Sequence, residues 1–146
     1  FETKIFNDDF INFKEDKKYD YIILDAPCSA IGTIRKNPEI FFKTKGPNLK
    51  NLNVLQEKML DKAAKLLNEN GLIIYMVCSF LDDETTIQIY NFIAKNKEFE
   101  ISKFIKIDDQ REYSKLFKKN FMLTLPDTIL NYKIDGYFAA FLRKNK

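Results

Sequence analysis

The sequence predicts an α/β fold, with most of a doubly wound sheet and an antiparallel end. Two hydrophobic runs, 21–24 and 72–77, are nearly continuous, as in strands of a sheet covered on both faces. Between them lies a helix-length segment, 53–68, with apolar residues at helical spacing. The last part of the chain carries strand-like segments with no helix between them, which predicts the antiparallel end.

The composition is that of an ordinary globular domain. The chain has 146 residues, 45% of them hydrophobic, and a net charge of +3, which is compatible with a polyanionic partner without arguing for one. No apolar run approaches the ~18 residues of a membrane span, and no signal segment precedes the first strand. Two cysteines and no histidine favour a reducing, cytoplasmic compartment and leave little from which to build a metal site.

Two strands are predicted before residue 25. Residues 1–6 are apolar-rich and free of turn residues, so we interpret them as a strand that ends at 7–9. The charged segment 12–18 is interpreted as a solvated loop or a short helix. Residues 21–24 form the next strand, and Pro27 ends it because proline has no backbone N–H to donate.

Residues 28–46 are predicted to form a loop with at most a short helical turn. Gly32, Pro38 and Gly46 interrupt any periodic pattern there. Arg35 and Lys36 could contact the phosphates of a nucleic acid, and a solvated basic surface is the alternative.

A helix is predicted over 53–68, followed by the buried strand 72–77. Asn53 and Gln56 resemble a capping box, which would satisfy free amides of the first turn. Gly71 is interpreted as the stop, at a position that needs a left-handed backbone.

A second helix is predicted to begin at the acidic residues 82–84, because negative charge is favourable at the N-terminal end of a helix dipole. Its inner stripe consists of four residues: Ile87, Tyr90, Ile93 and Ala94. Three strand-like segments follow: 99–107, 121–125 and 137–142. The segment 108–120 is polar and basic, and a loop with Pro126 and Gly136 bridges the last two strands.

The two cysteines of the chain lie at equivalent points, each at the end of a predicted strand and each followed by a serine. Cys28 follows Asp25-Ala26-Pro27, and Cys78 follows the run 72–77. Ligands of open α/β sheets bind at the carboxyl ends of the strands, so we expect Asp25, Cys28 and Cys78 to form a site. For either cysteine alone the alternative is a small buried hydrophobic side chain, and a disulfide between the two is geometrically possible.

Four ordered motifs resemble the RNA 5-methylcytosine methyltransferase family, which includes bacterial enzymes that act on 16S ribosomal RNA. They extend over essentially the whole chain: 25–29 (DAPCS), 32–40 (GTIRKNPEI), 78–79 (CS) and 135–144 (DGYFAAFLRK). The resemblance implies a Rossmann-like domain that transfers a methyl group from S-adenosylmethionine to carbon 5 of cytosine in RNA.

The resemblance also implies residue roles. Cys78 would be the nucleophile that adds to carbon 6 of the cytosine, and Cys28 would assist proton removal and product release. Asp25 would contact the cytosine edge or the cofactor, and Asp9 would contact the adenosine part of the cofactor. Asp8 is a rival for Asp9, and an Asp at a strand end is also common turn chemistry.

The chain departs from the family in two places. In the family, a glycine-rich cofactor loop and further strands precede the segment that matches 1–6. We therefore interpret residues 1–146 as the C-terminal portion of one catalytic domain, with the remaining part of that domain or its equivalent as a partner. In the second cysteine motif, Val77 stands where threonine is usual, and 81–85 lacks the usual proline and asparagine.

Two alternatives to a cytosine methyltransferase are open. The chain could be a truncated, non-catalytic remnant that folds and binds RNA through its basic face. It could also be a methyltransferase of another substrate class. Enzymes that methylate amino groups of nucleic acids usually place Pro-Pro and an aromatic residue after the strand-end acid, where this chain has Ala26-Pro27-Cys28.

Overall fold

The computed structural model describes residues 2–42, 46–102, 116–118, 120–129 and 132–146. Strands alternate with helices up to residue 95, and strands without a further α-helix follow among the described residues, which confirms the predicted α/β class with an antiparallel end. The elements are β1 (Tyr19–Asp25), α1 (Leu49–Leu66), β2 (Leu67–Val77), α2 (Thr86–Lys95), β3 (Phe99–Ile101), β4 (Phe117–Lys118), β5 (Phe121–Thr124), β6 (Asp127–Ile129), β7 (Tyr132–Ile134) and β8 (Tyr137–Lys144). Neither α1 nor α2 is long and apolar enough to cross a lipid bilayer.

The main sheet has the order β1-β2-β8-β5-β4, and β3 also pairs with β8. β1 and β2 run parallel, with Asp25 opposite Met76, and the N–H of Ala26 donates to the carbonyl of Met76 at 3.0 Å. β8 runs antiparallel to β2, so that its first residues lie beside the carboxyl end of β2. The loops after β1 and β2 and the loop before β8 therefore meet at one edge of the sheet, the edge formed by the carboxyl ends of β1 and β2.

The hydrophobic core lies between the sheet and the two helices. Tyr75 of β2 and Phe138 of β8 are fully buried, and their rings meet edge to face at 6.4 Å between centroids. The helices bury four side chains against this pair in the same cluster: Leu60, Ala63, Ile89 and Phe92. Burial of each of the Leu, Ile and Phe side chains stabilises the fold by about 1.5–3 kcal/mol, which fixes the strands whose ends carry the cysteines.

β1 is covered on one face only. Leu24 belongs to the buried cluster, whereas the side chains of Tyr21 and Ile23 are 72% and 67% exposed. The prediction that both faces of this strand are covered is wrong, because α1 and α2 pack against the Leu24 face. The predicted strand at 1–6 is also wrong, since the described part of it, from residue 2, pairs with no strand.

Helix α1 begins earlier than predicted. Asn48 is its N-cap and accepts the N–H of Asn51 at 3.1 Å, so the capping box at Asn53 and Gln56 is wrong. Both of those residues lie inside the helix, and Gln56 is fully buried. The left-handed residue that follows α1 is Asn70, with φ 59°, and not the predicted Gly71.

The inner face of α2 also differs from the predicted stripe. Three side chains of α2 are buried: Gln88, Ile89 and Phe92. Of the predicted stripe only Ile93 is half-buried, while Ile87, Tyr90 and Ala94 are exposed. The acids at 82–84 form a separate short 3-10 turn before α2. Helix α2 therefore begins later than predicted, and a different set of its side chains faces the core.

The C-terminal strands agree with the prediction more closely. β5 and β8 confirm the predicted strands at 121–125 and 137–142, and the hairpin of β6 and β7 occupies the segment predicted as a loop. β3 confirms the beginning of the strand predicted at 99–107. Its remainder, and most of the basic segment 108–120, lie outside the described residues.

Candidate active site

The two cysteines meet at the edge of the sheet. Cys28 follows β1 after the turn at Pro27, and Cys78 is the first residue after β2. Their sulfur atoms lie 3.2 Å apart, and both side chains are half-buried free thiols. The expected convergence of the two strand ends therefore places two thiols in direct contact.

The Cys28 thiol is held in its protonated form. Burial raises its pKa to about 12, and the hydrogen bond with Cys78 contributes in the same direction, against an opposing contact with the backbone of Ala30. At neutral pH Cys28 therefore keeps its proton and can donate it in the S–H···S contact with Cys78.

A backbone clamp fixes the carbonyl of Cys78. The N–H of Gly32 donates to this carbonyl at 3.0 Å, and the carbonyl of Gly32 accepts the N–H of Gly136 at 2.7 Å. A Cβ on Gly32 would lie 2.0 Å from the carbonyl oxygen of Gly136, so the approach requires glycine. The three loops at this edge of the sheet are thus joined through Gly32.

Asp25 ends β1 with an exposed side chain next to Tyr137, the first residue of β8. The hydroxyl of Tyr137 lies 3.5 Å from Oδ1 of Asp25. Burial, followed by the charge of Asp25, raises the pKa of Tyr137, so the phenol stays protonated and able to donate. Sequence reasoning missed Tyr137. Its position near Asp25 follows from the antiparallel pairing of β8 with β2, because this pairing places the first residues of β8 at the end of the sheet where β1 and β2 end.

A cavity of about 350 Å³ opens beside Cys28. Its volume is within the range of small-molecule sites. It is lined by Cys28, Ser29, Ala30, Thr33, Asn37, Glu39, Ile40 and Pro47.

Asp9 lies away from this group, in a turn of the N-terminal segment. Its carboxylate accepts the N–H of Ile11 at 3.1 Å and the side-chain amide of Asn12, which is turn chemistry. Asp8, the rival, lines a second, mainly apolar cavity of about 380 Å³ together with side chains that include Phe10 and Tyr21.

Arg35 and Lys36 are paired with an acid. Arg35 lies 3.2 Å and Lys36 2.7 Å from the carboxylate of Asp135, in the loop before β8. The hydrogen bond from Lys36, together with the charge of Arg35, lowers the pKa of Asp135. Both basic side chains thus link the loop after β1 to the loop before β8.

Glu84 is a second side chain at this site that sequence reasoning missed. The sequence predicts it as one of three acids at a helix start. The structure instead buries it completely beneath the two cysteine loops, which are the loop after β1 with Cys28 and the loop after β2 with Cys78. Its spacing of five residues from Ser79 is the only signal in the sequence, and such a spacing does not distinguish a buried acid from an exposed one. In the part of the chain that the structure describes, no cluster of cysteines and carboxylates could hold a metal ion.

Comparison with protein families identifies the chain. The model of the 16S rRNA methyltransferase RsmB/F family matches residues 1–143. The chain belongs to this family. The RsmB/F match thus extends over the two cysteine loops, the Gly32 clamp and β8, all of which build the site.

Curated relatives of the RsmB/F chain are bacterial. The ribosomal RNA small subunit methyltransferase B of Pasteurella multocida is 31% identical over 129 residues, which is 87% of this chain and 26% of that protein. The protein of the same name from Photorhabdus laumondii is 34% identical over 91 residues, which is 62% of this chain and 21% of that protein. The chain thus matches about a quarter of the length of these relatives.

Solved structures agree with the fold. The crystal structure of PH0851 has a TM-score of 0.70 at 30% identity and covers 86% of this chain and 26% of that one. A methyltransferase homolog protein from Pyrococcus horikoshii has a TM-score of 0.58 at 26% identity and covers 88% of this chain and 40% of that one. These neighbours confirm a methyltransferase fold of the Rossmann-like type.

Proposed function

We propose that the chain is the C-terminal portion of the catalytic domain of a cytoplasmic enzyme that methylates carbon 5 of cytosine in RNA. The methyl donor is S-adenosylmethionine, and the substrate is 16S ribosomal RNA. The observation that carries the proposal is the 3.2 Å contact between Cys28 and Cys78 at the ends of adjacent parallel strands, in a chain of the RsmB/F family.

The reaction needs a nucleophile on the protein because carbon 5 of cytosine is itself a poor nucleophile. In the proposed reaction the thiolate of Cys78 adds to carbon 6, and the electron pair of the C5–C6 double bond makes carbon 5 enamine-like and able to accept a methyl group. S-adenosylmethionine supplies that group as an electrophile. The role of Cys78 is supported by its contact with Cys28, whose retained proton can stabilise a thiolate on Cys78 by a hydrogen bond.

Cys28 serves in product release. As the bond between carbon 6 and Cys78 breaks, Cys28 donates its proton to the departing sulfur and accepts the proton from carbon 5. The C5–H electron pair restores the C5–C6 double bond, and the net result is methylated cytosine with both cysteines as thiols. The raised pKa of Cys28 supports this role, because it keeps a proton on the sulfur that touches Cys78.

Two acids are proposed to position the substrates. Asp25 contacts the cytosine edge or the methyl donor, and its place at the end of β1, within 3.5 Å of the Tyr137 hydroxyl, supports this. Asp9, with Asp8 as its rival, contacts the adenosine part of S-adenosylmethionine. An apolar cavity with the Asp8 carboxylate on its wall fits a flat, hydrogen-bonding base.

Covalent trapping tests the nucleophile. The full-length protein that contains this chain is incubated with S-adenosylmethionine and RNA that contains 5-azacytosine, and the protein–RNA adduct is measured on denaturing gels. We expect the wild-type protein to form the adduct and Cys78→Ala to form none. An adduct with Cys78→Ala would overturn the assignment.

Cys28→Ala is the matched control for the same experiment. It removes the neighbouring thiol, and we expect adduct formation to persist. Because release is then slow, the adduct should also accumulate on ordinary cytosine RNA. If Cys28→Ala abolishes the adduct and Cys78→Ala does not, the two roles are reversed.

A further inference from the structure

The buried carboxylate of Glu84 has no part in the proposed chemistry, and it is fully inaccessible to solvent. A buried acid costs stability unless hydrogen bonds satisfy its oxygens. Four donors do so here, and they come from both cysteine loops and from α1.

The two cysteine loops meet on this one side chain. The hydroxyls of Ser29 and Ser79 donate to the same oxygen, Oε2, at 2.5 and 2.6 Å. Ser29 follows Cys28 and Ser79 follows Cys78, so the next residue along the chain from each sulfur is tied to the same atom. The backbone N–H of Ser29 adds a bond to Oε1 at 2.8 Å.

The bridge that Glu84 forms between the two cysteine loops is itself anchored to the core. The side-chain amide of Gln56 in α1 donates to Oε1 of Glu84 at 3.1 Å and to the carbonyl of Pro27 at 3.0 Å. The hydroxyl of the buried Tyr75 donates to the backbone carbonyl of Glu84 at 2.9 Å. Helix, strand and both loops thus hold the carboxylate in a single position.

We propose that Glu84 is a positioning residue that sets the distance between the Cys28 and Cys78 sulfurs by holding Ser29 and Ser79 on one oxygen. The inference deepens the proposed function, since that function requires the two sulfurs to exchange a proton. It explains why each cysteine is followed by a serine, which the reaction alone does not require.

The first test measures the proximity of the two thiols directly. Phenylarsine oxide bonds two neighbouring thiols at once, forming two As–S bonds and releasing one water molecule, so its affinity reports the sulfur–sulfur distance. We expect Glu84→Gln, which keeps the side-chain volume, to bind the arsenical about tenfold more weakly than the wild-type protein. The turnover number for RNA should fall by about as much, with the KM for RNA unchanged.

Glu57→Gln is the matched control. It removes an exposed carboxylate of α1 that pairs with Lys95, and it should leave arsenical affinity and turnover unchanged. Wild-type arsenical affinity in folded Glu84→Gln would overturn the inference. If the wild-type protein never methylates RNA but Glu84→Gln still binds the arsenical more weakly than the wild type does, the proposed function fails while the role of Glu84 stands.

A double-mutant cycle decides the case in which Glu84→Gln does not fold. Ser29→Ala and Ser79→Ala each leave the carboxylate in place and remove one of the two hydroxyl bonds to Oε2, while the backbone N–H of Ser29 still bonds to Oε1. Because both serines act through one oxygen, the double variant should bind the arsenical no more weakly than the single variant with the larger loss of affinity. Additive losses would overturn the inference, since they would mean that the serines act independently.

Discussion

Cys28 and Cys78 are chemically identical side chains, and their proposed roles in attack and release require them to differ in how firmly they hold a proton. Burial of the Cys28 thiol disfavours its charged form, and the neighbouring sulfur adds to that effect. The Cys28 sulfur therefore holds its proton at neutral pH, as its proposed role in product release requires.

Alkylation as a function of pH tests this difference. Because its pKa is raised to about 12, Cys28 should react with iodoacetamide only slowly near pH 8, and its rate should rise toward pH 12. The two cysteines lie on separate tryptic peptides, 19–35 and 66–95, so mass spectrometry follows each one. In denaturant Cys28 should react with an apparent pKa of about 8.5, and the same value in the folded protein would contradict the prediction.

The sequence predicted the cysteine pair but not the group beneath it. Strand ends carry Asp25, Cys28 and Cys78, and a parallel pair of strands brings such ends together whatever the detailed packing. Glu84 lies in a 3-10 turn, and its burial depends on the position of that turn relative to Gln56 of α1. That relation is set by tertiary packing and has no local signature.

The loops at the site depend on one close backbone contact between elements. A methyl group on Gly32 would meet the carbonyl of Gly136 at 2.0 Å and that of Cys78 at 3.0 Å. These are backbone atoms, so a shift of a flexible side chain cannot relieve the clash. The loop after β1 must therefore move away from β2 and β8 if Gly32 acquires a side chain.

Gly32→Ala is expected to lower the free energy of unfolding by about 1–3 kcal/mol, the range for overpacked sites. It should also reduce adduct formation by Cys78, whose carbonyl loses its partner. Gly46→Ala is the control, because a Cβ there has no heavy atom within 4 Å. Urea denaturation measures both variants, and equal stability of the two would show that the Gly32 contact is dispensable.

Strands with a long apolar run were predicted well. β2 and β8 have such runs, and both lie in the centre of the sheet. The segment 2–6 has only Ile5 and Phe6 as apolar residues, and it finds no strand to pair with among the described residues. The start of α1 was misplaced because Asn48 and Asn53 are both good cap residues, and only the packing of the helix selects between them.

At the scale of the whole molecule, ionisable groups at the site edge link stability to pH in both directions. The pKa of Asp135 is lowered by Lys36 and Arg35, so its contribution is present above about pH 4, the pKa of a free Asp, and is lost as the pH falls further. The pKa of Cys28 is raised, so its contribution is present below about pH 8.5 and is lost as the pH rises toward 12. Stability should therefore be greatest between these limits.

Asp135→Asn is expected to flatten the acid limb of the profile of stability against pH, which means a smaller loss of stability as the pH falls. The loss of stability at alkaline pH should be unchanged. Without the carboxylate, the unfolded chain no longer takes up an extra proton near pH 4, so the urea midpoint should fall less between pH 5 and pH 3 than it does in the wild-type protein. Asp83→Asn, at an exposed carboxylate for which the described residues supply no ion pair, is the control and should keep the wild-type slope. Since the pairs with Arg35 and Lys36 are partly exposed, the difference between the two variants should shrink at 1 M salt. An acid limb that is unchanged in Asp135→Asn would mean that the three charged groups hold the loops together only weakly in solution.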